Sequence, residues 1–420
     1  MKHWKNDLPD WYIKKHGYQP CINIGTAGHV DHGKTTLVQS LTGVWTSMHS
    51  QELKRGITIR VGYSDVAFYK CPKCSEPEGY STESKCSNCG KKSDLSRVVS
   101  IVDSPGHESL MANMLSGAAL MDGSILVIGA DQKVPQLQTE EHLLALQILG
   151  IKQIIVAQNK IDLLTYEEAI ATHSEMKKFM TKFNLDAPII PVSAQSGLNK
   201  DALIGAIESQ ITTPKRDSKA DPIMHVLRSF DVNRPGTNIS KMKGGIIGGS
   251  LTAGMFKVGD EIEIKPGVQE GKKNTYNTIV TKIDSLGTGA GLVESVLPGG
   301  LVAIGTKLDP SMASGDALIG AVIGKPGTLP DSTMTASFKT NLFDSAVGMQ
   351  STAKVQPIKT GDMLRFSIGT SPELCKVTKT GDGKITVEFR RPVCTFKKGR
   401  AAISSRIADR WRLIGAGTVA

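Results

Sequence analysis

The stretch Gly28–Thr35, "GHVDHGKT", decides how the first half of the chain is read. It fits the pattern G-x-x-x-x-G-K-[ST], with the apolar run "CINIGTAG" before it and "TTLVQSLTG" after it. A strand therefore ends in glycines and a helix opens, which is the context the pattern needs. Glycines let a backbone fold tightly round phosphates, while amide N–H groups and the helix N-terminus supply positive potential. Lys34 can reach terminal phosphates and the Thr35 hydroxyl can ligate Mg2+. The residues expected along the phosphates are Gly28, His29, Val30, Asp31, His32, Gly33, Lys34, Thr35 and Thr36, and Gly43 is the expected helix stop.

Working outward, apolar strands alternate with helical segments. "VVSIVD", "SILVIGA", "QIIVAQ" and "PIIPVSA" read as strands; "TEEHLLALQILG", "YEEAIATHSEMKKFM" and "KDALIGAIESQI" read as helices. This alternation predicts a parallel sheet covered on both faces. Three loops at the predicted strand ends carry chemistry, which is where ligands bind such sheets. In "DSPGH", Asp103 is expected to hold the magnesium through water, the Gly106 N–H to touch a γ-phosphate, and His107 to stand where a water-positioning residue belongs. In "NKID", the Asp162 carboxylate can accept from both N1–H and the 2-amino group of guanine, which adenine cannot offer. Asn159 is expected to brace that loop and Lys160 to stack on the base. "SAQ", Ser193, Ala194 and Gln195, offers a backbone N–H to the guanine O6. Together the loops predict a GTP/GDP site. Thr58 in "RGITI" is the expected second hydroxyl ligand to magnesium; a plain strand threonine is the other reading.

After "TTPKRDSKADP", which reads as a linker, the pattern becomes short alternating segments split by glycine turns, such as "CKVTKTGDGKITVEFRRPV". Strands at this spacing predict barrels or sandwiches. A break is expected at "GKPGTLPDS". The expected division is an N-terminal extension over 1–20, a nucleotide domain over 21–213, and two β domains over 221–328 and 329–420.

Between "RGITI" and "DSPGH" lies "CPKCSEPEGYSTESKCSNCG", with Cys71, Cys74, Cys86 and Cys89 as two CxxC pairs. That spacing predicts a tetrahedral Zn2+-thiolate knuckle over 71–90, structural because no ligand position is left open. Two redox pairs are the alternative. The seven cysteines are odd in number and four sit in this cluster, which argues for a reducing compartment rather than a disulfide framework. No signal-like or membrane-spanning run occurs, so a cytoplasmic protein is expected, with no membrane partner. A net charge of +10 favours an acidic partner such as RNA, or simply reflects surface lysines. The basic stretch Arg390–Arg412 allows the same two readings, a phosphate-facing sheet or a solvated barrel face.

With these residues in place, "GHVDHGKTTL", "RGITI", "DSPGHE" and "NKID" resemble the translational GTPases built as a G domain and two β-barrels. "LTGVWTSMHSQELKRGITI", the four-cysteine insertion and "RSFDVNRPGT" narrow the resemblance to the gamma-subunit family of archaeal and eukaryotic translation initiation factor 2, over almost the whole chain from Cys21. The lack of a long N-terminal extension makes it look archaeal. The resemblance implies an α/β P-loop GTPase domain with an inserted zinc knuckle and two all-β barrel domains. It implies GTP hydrolysis to GDP and phosphate, and delivery of methionylated initiator tRNA to the small ribosomal subunit within an alpha-beta-gamma heterotrimer, with no DNA partner. It further implies that His107 orients the attacking water, that Val30 and Ile57 gate it, and that Asp31 and Gly56 can hold a second Mg2+. The alternatives are a selenocysteine-specific elongation factor, for which a fourth domain would be expected, a general elongation-type tRNA carrier, and a GTP-dependent scaffold without useful hydrolysis.

Overall fold

The computed structural model describes residues 4–47, 52, 58–270, 275–345 and 354–420. These fall into two compact units, one built on Pro20–Pro214, the other on 16–19, 215–345 and 354–420.

The first unit is an α/β layer structure. Its strands are β1 (Ile22–Ala27), β2 (Gly62–Lys70), β3 (Tyr80–Ser81), β4 (Asp94–Asp103), β5 (Gly123–Gly129), β6 (Ile154–Asn159) and β7 (Ile189–Pro191). Its helices are α1 (Asp10–His16), α2 (Lys34–Thr42), α3 (Met111–Ala118), α4 (Leu137–Leu149), α5 (Tyr166–Lys182) and α6 (Lys200–Gln210). The sheet order is β3-β2-β4-β1-β5-β6-β7. From β4 to β7 the strands are parallel, as the apolar runs predict. The all-parallel expectation fails at the edge, where β2 runs antiparallel to β4 and β3 antiparallel to β2. The cause is the connection. β2 returns to β4 through the cysteine-bearing segment, without the crossover helix that a parallel pair requires.

Ile22, Ile24, Val99, Ile101, Ile125, Val127 and Ile155 of the sheet pack with Leu37 and Leu41 of α2 and Ile204 and Ile207 of α6. The helix ends follow local chemistry. Gly43 stops α2 at φ 75, its N–H bonded to the Gln39 carbonyl. Thr165 and Glu168 form a reciprocal capping box that starts α5. The N-terminal segment is more than a loose extension. Tyr12 of α1 is fully buried beside Ala67, Tyr69 and Val98, and the Ser84 hydroxyl donates to the Asp7 carboxylate at 3.0 Å.

The second unit holds two barrels. In the first, β8 (Ile223–Phe230), β9 (Ile246–Ala253), β11 (Glu261–Glu270), β12 (Thr275–Thr288), β15 (Val302–Thr306) and β16 (Val322–Gly324) close a ring in the order β11-β16-β8-β9-β15-β12. Short strands β10 (Phe256–Lys257) and β14 (Ser295–Val296) pair with each other, and β13 (Gly291–Val293) pairs with β12. The second barrel closes as β17 (Ser332–Leu342), β20 (Lys384–Cys394), β19 (Ser371–Gly381), β18 (Met363–Ile368), β21 (Arg400–Ile407) and β22 (Arg410–Val419). Each has its own apolar core, around Phe256 and Ile304 in one and Phe338, Phe366 and Phe389 in the other. A smaller cluster of Ile223, Val322, Leu329, Cys394 and Phe396 links them, which is why both barrels belong to one compact unit.

Candidate functional site

The phosphate-loop pattern lies between β1 and α2, and each of its special residues has a geometric reason. Gly28 has φ 135, and a Cβ there would fall 2.2 Å from the Val127 carbonyl oxygen. Its N–H donates to His142 Nδ1 at 2.9 Å. Gly33 has φ 87, and a Cβ there would meet the Asn159 amide at 2.3 Å. Asp31 takes a left-handed φ of 61 although it is not glycine, a local strain of the kind found at ligand-binding turns. The Lys34 ammonium donates to the His29 carbonyl at 2.6 Å. Burial pulls Lys34 down to about 8, opposed by the carboxylates of Asp103 and Asp31. It keeps most of its charge at neutral pH.

Beside Lys34 the structure gathers a set of oxygens. Thr35 donates to Asp103 Oδ2 at 2.8 Å and Thr46 to the same oxygen at 2.7 Å, while Thr26 donates to Oδ1 at 3.1 Å. Thr35 Oγ1 and Thr58 Oγ1 are 2.9 Å apart, and Ser47 Oγ lies 2.8 Å from Thr58 Oγ1. Each hydroxyl has one proton. Since Thr35 gives its own to Asp103, the chain runs in one direction: Ser47 to Thr58 to Thr35 to the carboxylate. Burial raises the pKa of Asp103 and the hydroxyls of Thr46 and Thr35 oppose that rise. This all-oxygen set suits a hard divalent cation. The 2.9 Å between the two threonine oxygens matches the edge of an octahedron with ~2.1 Å bonds, about 3.0 Å. Asp31 and Thr35 line the same cleft, of ≈ 350 Å³, with Val30, Thr36, Thr58, Gly106, His107 and Lys160. A Cβ at Gly106 would fall 2.3 Å from Lys34 Nζ and 3.0 Å from the Gly28 carbonyl oxygen, so this loop passes close against the phosphate turn. Gly56 and Ile57 lie outside the described residues.

At the other end of the cleft, Asn159 ties two loops together. Its Nδ2 donates to the His32 carbonyl at 2.9 Å and its Oδ1 accepts from the Ala194 N–H at 2.9 Å. Lys160, at φ 66, reaches Asp131 with its ammonium at 2.9 Å. Asp162 is exposed in the short helical turn Ile161–Leu163, Ser193 is buried, and Gln195 is exposed. His107 is exposed, and Ser109 engages its Nδ1 with hydroxyl and N–H at 2.8 and 3.3 Å. In this conformation His107 caps the turn Glu108–Leu110.

Several participants carry no motif. Thr26, Thr46 and Ser47 are ordinary hydroxyl residues in the sequence, Asp131 follows β5 without a pattern, and His142 reads as one polar position of an amphipathic helix. Only their long-range partners reveal them.

The four cysteines converge as well. Cys71 Sγ lies 3.4 Å from Cys89 Sγ and Cys74 Sγ lies 3.7 Å from Cys86 Sγ, with all four sulfurs within 4.8 Å of one another. A disulfide would bring two sulfurs to ~2.05 Å. A tetrahedron with ~2.3 Å Zn–S bonds has edges of about 3.8 Å, and the four sulfurs fit it. Two tight turns present the sulfurs: Gly79 N–H bonds Ser75 O at 2.8 Å and Gly90 N–H bonds Cys86 O at 2.9 Å. Backbone N–H groups, that of Lys73 first, lower the Cys71 thiol below its ordinary range, while hydrogen bonds from Cys89 and Cys86 push the Cys74 thiol up.

Residues 19–213 match the family model described as elongation factor Tu GTP binding domain, and residues 334–419 match initiation factor eIF2 gamma, C terminal. The chain is 51% identical over 401 residues to translation initiation factor 2 subunit gamma of Archaeoglobus fulgidus, covering 95% of this chain and 94% of that one. It is 50% identical to the protein of the same name in Methanococcus vannielii and 48% in Halobacterium salinarum, with 98% of each relative covered. Among solved structures, a bacterial selenocysteine-specific elongation factor EF-Sec is similar with TM-score 0.72 at 23% identity, covering 95% of this chain and 58% of that one. The elongation factor SelB of Methanococcus maripaludis, in complex with the GTP analogue GppNHp, is similar with TM-score 0.69 at 22% identity, covering 95% and 78%. At these identities the two structures speak for the fold alone.

Proposed function

The chain belongs to the family of translation initiation factor 2 gamma subunits, and from that premise we propose how its cleft serves a translation-initiation GTPase. The near-complete two-way coverage at 51% identity carries the reading and disfavours the elongation-type alternative. GTP or GDP occupies the cleft with its phosphates over Gly28–Thr36 and its guanine at Asn159, Lys160, Asp162 and Ser193–Gln195. Lys34 meets the terminal phosphates. Thr35 and Thr58 are the direct hydroxyl ligands for Mg2+, which neutralises developing charge on the phosphates when bound, and Asp103 holds that site through water. Asp31 and Gly56 would serve a second cation.

Two features support a switch. The oxygens of Ser47, Thr58, Thr35 and Asp103 already form one hydrogen-bonded chain, so a cation and a γ-phosphate replace bonds rather than create order from nothing. Gly106 packs against Lys34, so a third phosphate at the lysine is felt by the loop that carries His107. His107 orients water after leaving Ser109, with Val30 and Ile57 gating access. Hydrolysis then gives GDP and phosphate. Cys71, Cys74, Cys86 and Cys89 hold a structural Zn2+.

In its GTP form the protein carries methionylated initiator tRNA to the small ribosomal subunit, within a heterotrimer with alpha and beta subunits. Filter binding of charged initiator and elongator tRNAs, with GTP or GDP and with or without the alpha subunit, tests this. Preference for the initiator species in the GTP state is expected. Equal retention of every charged tRNA would favour an elongation-type carrier.

A further inference from the structure

The first amide of the phosphate loop is held by a side chain 114 residues away. Gly28 N–H donates to His142 Nδ1 at 2.9 Å, and His142 is fully buried on α4. Because Nδ1 accepts, the ring proton sits on Nε2. That nitrogen is buried and has no hydrogen-bond partner among the described residues. A buried imidazole with one orphaned nitrogen is costly, so packing alone does not account for it.

A second imidazole grips the same turn with the opposite tautomer. His32 Nδ1 faces the Val127 carbonyl at 3.2 Å and therefore donates. That carbonyl is the one on which the bare Gly28 Cα rests. Gly28 is thus fixed three ways: by its N–H to His142, by its lack of a side chain against Val127, and by the bond that holds Val127 to His32. The acceptor must also be uncharged. A carboxylate at this point would place negative charge beneath a loop that receives phosphates. Burial above all, then the Lys34 ammonium, keeps the His142 ring neutral.

We propose that His142 is a positioning residue for the phosphate loop, accepting the Gly28 amide so that the loop leaves β1 in the conformation that converges its later amides on the phosphates. The inference rests on the nucleotide reading of this cleft and adds a residue that no motif marks.

Three variants of the full chain separate the acceptor from the packing. His142→Asn keeps an acceptor near the Nδ1 position. His142→Gln moves it one carbon outward, and His142→Phe keeps the ring and loses it. GDP and GMP affinities are measured by calorimetry, and melting is followed without nucleotide. For Phe and Gln, GDP affinity is expected to fall about tenfold, the usual scale for a buried amide left without its acceptor. GMP affinity, which depends less on the loop, is expected to fall by less, so the GDP:GMP ratio drops. His142→Asn is expected to stay within about threefold of wild type for GDP. Apo melting of Asn and Gln is expected to be alike. Wild-type affinity for GDP in Phe or Gln, an equal loss for GDP and GMP, or an Asn variant as weak as Gln would each overturn the proposal. A wild-type chain that does not bind GDP would instead overturn the nucleotide reading on which the proposal depends.

Discussion

The nucleotide cleft and the four-cysteine knuckle are built from the same local parts and held together in opposite ways. Both use tight turns with glycines at positive φ, Gly28 and Gly33 in one and Gly90 in the other, to aim a group of like atoms at one point. In the cleft those atoms are the amide nitrogens of the phosphate turn, with the oxygens of Thr35, Thr58 and Asp103 beside them, and their braces come from far along the chain. Thr35 and Asp103 are 68 residues apart, Gly28 and His142 are 114, and Asn159 and His32 are 127. In the knuckle the sulfurs lie at most 18 residues apart, and each turn closes on itself. The cleft therefore exists only when the whole sheet is folded, with the loop ends of β1, β4, β5 and β6 brought together. The knuckle's sulfur site is local and a metal supplies what so short a loop lacks in core, while β3 anchors the segment to β2 and Tyr80 packs into the sheet core. The cleft is therefore sensitive to distant change, whereas the sulfur site depends on its own short segment.

The largest expected break of this contrast is Asn159→Ala. It leaves the buried His32 carbonyl and the Ala194 N–H without partners, at a cost of ~1–3 kcal/mol for each buried group. GDP affinity measured by calorimetry is expected to fall by at least about tenfold, although Asn159 belongs to neither the phosphate loop nor the cysteine segment. An unchanged affinity would show that the loops are set locally, as the knuckle is. A smaller effect on the cleft is expected from removing the metal. Cys86→Ser with Cys89→Ser, or strong chelation, should release about one Zn2+ per chain. Residues 71–90 should become protease-sensitive. GDP affinity should stay within about threefold, since among the described residues no hydrogen bond of the cleft involves the four thiols. Loss of GDP binding together with zinc would show that the two regions act as one.

How much was legible follows from the same contrast. The convergence of the four sulfurs was legible, because the cysteines form a short periodic pattern and their meeting is local. The phosphate loop and the parallel strands β1, β5 and β6 were legible because a pattern and an apolar run occur at one place in the chain. The antiparallel edge was not. "GYSDVAFYK" mixes polar and apolar positions, and its direction depends on the connection through the cysteine segment, not on its own composition. The braces Thr26, Thr46 and His142 were also invisible, since a hydroxyl or imidazole acquires its role only from a partner folded against it. Tyr12 is a further case. Nothing in "DWYIKKH" marks it for complete burial, which depends on a groove formed by Ala67, Tyr69 and Val98. Chemistry carried by neighbours in sequence was readable; chemistry carried by neighbours in space was not.

The base-selecting carboxylate gives the most direct test that this cleft is a guanine-nucleotide site. Asp162→Asn replaces an acceptor of two guanine donors with a group that can donate to the 2-oxo group of xanthine. Calorimetric titration of wild type and variant with GDP and XDP compares them directly. The wild type is expected to prefer GDP and the variant to reverse the order, by about 10-fold or more for two charge-assisted hydrogen bonds. A variant that keeps wild-type affinity for GDP and ignores XDP would contradict the guanine-nucleotide reading.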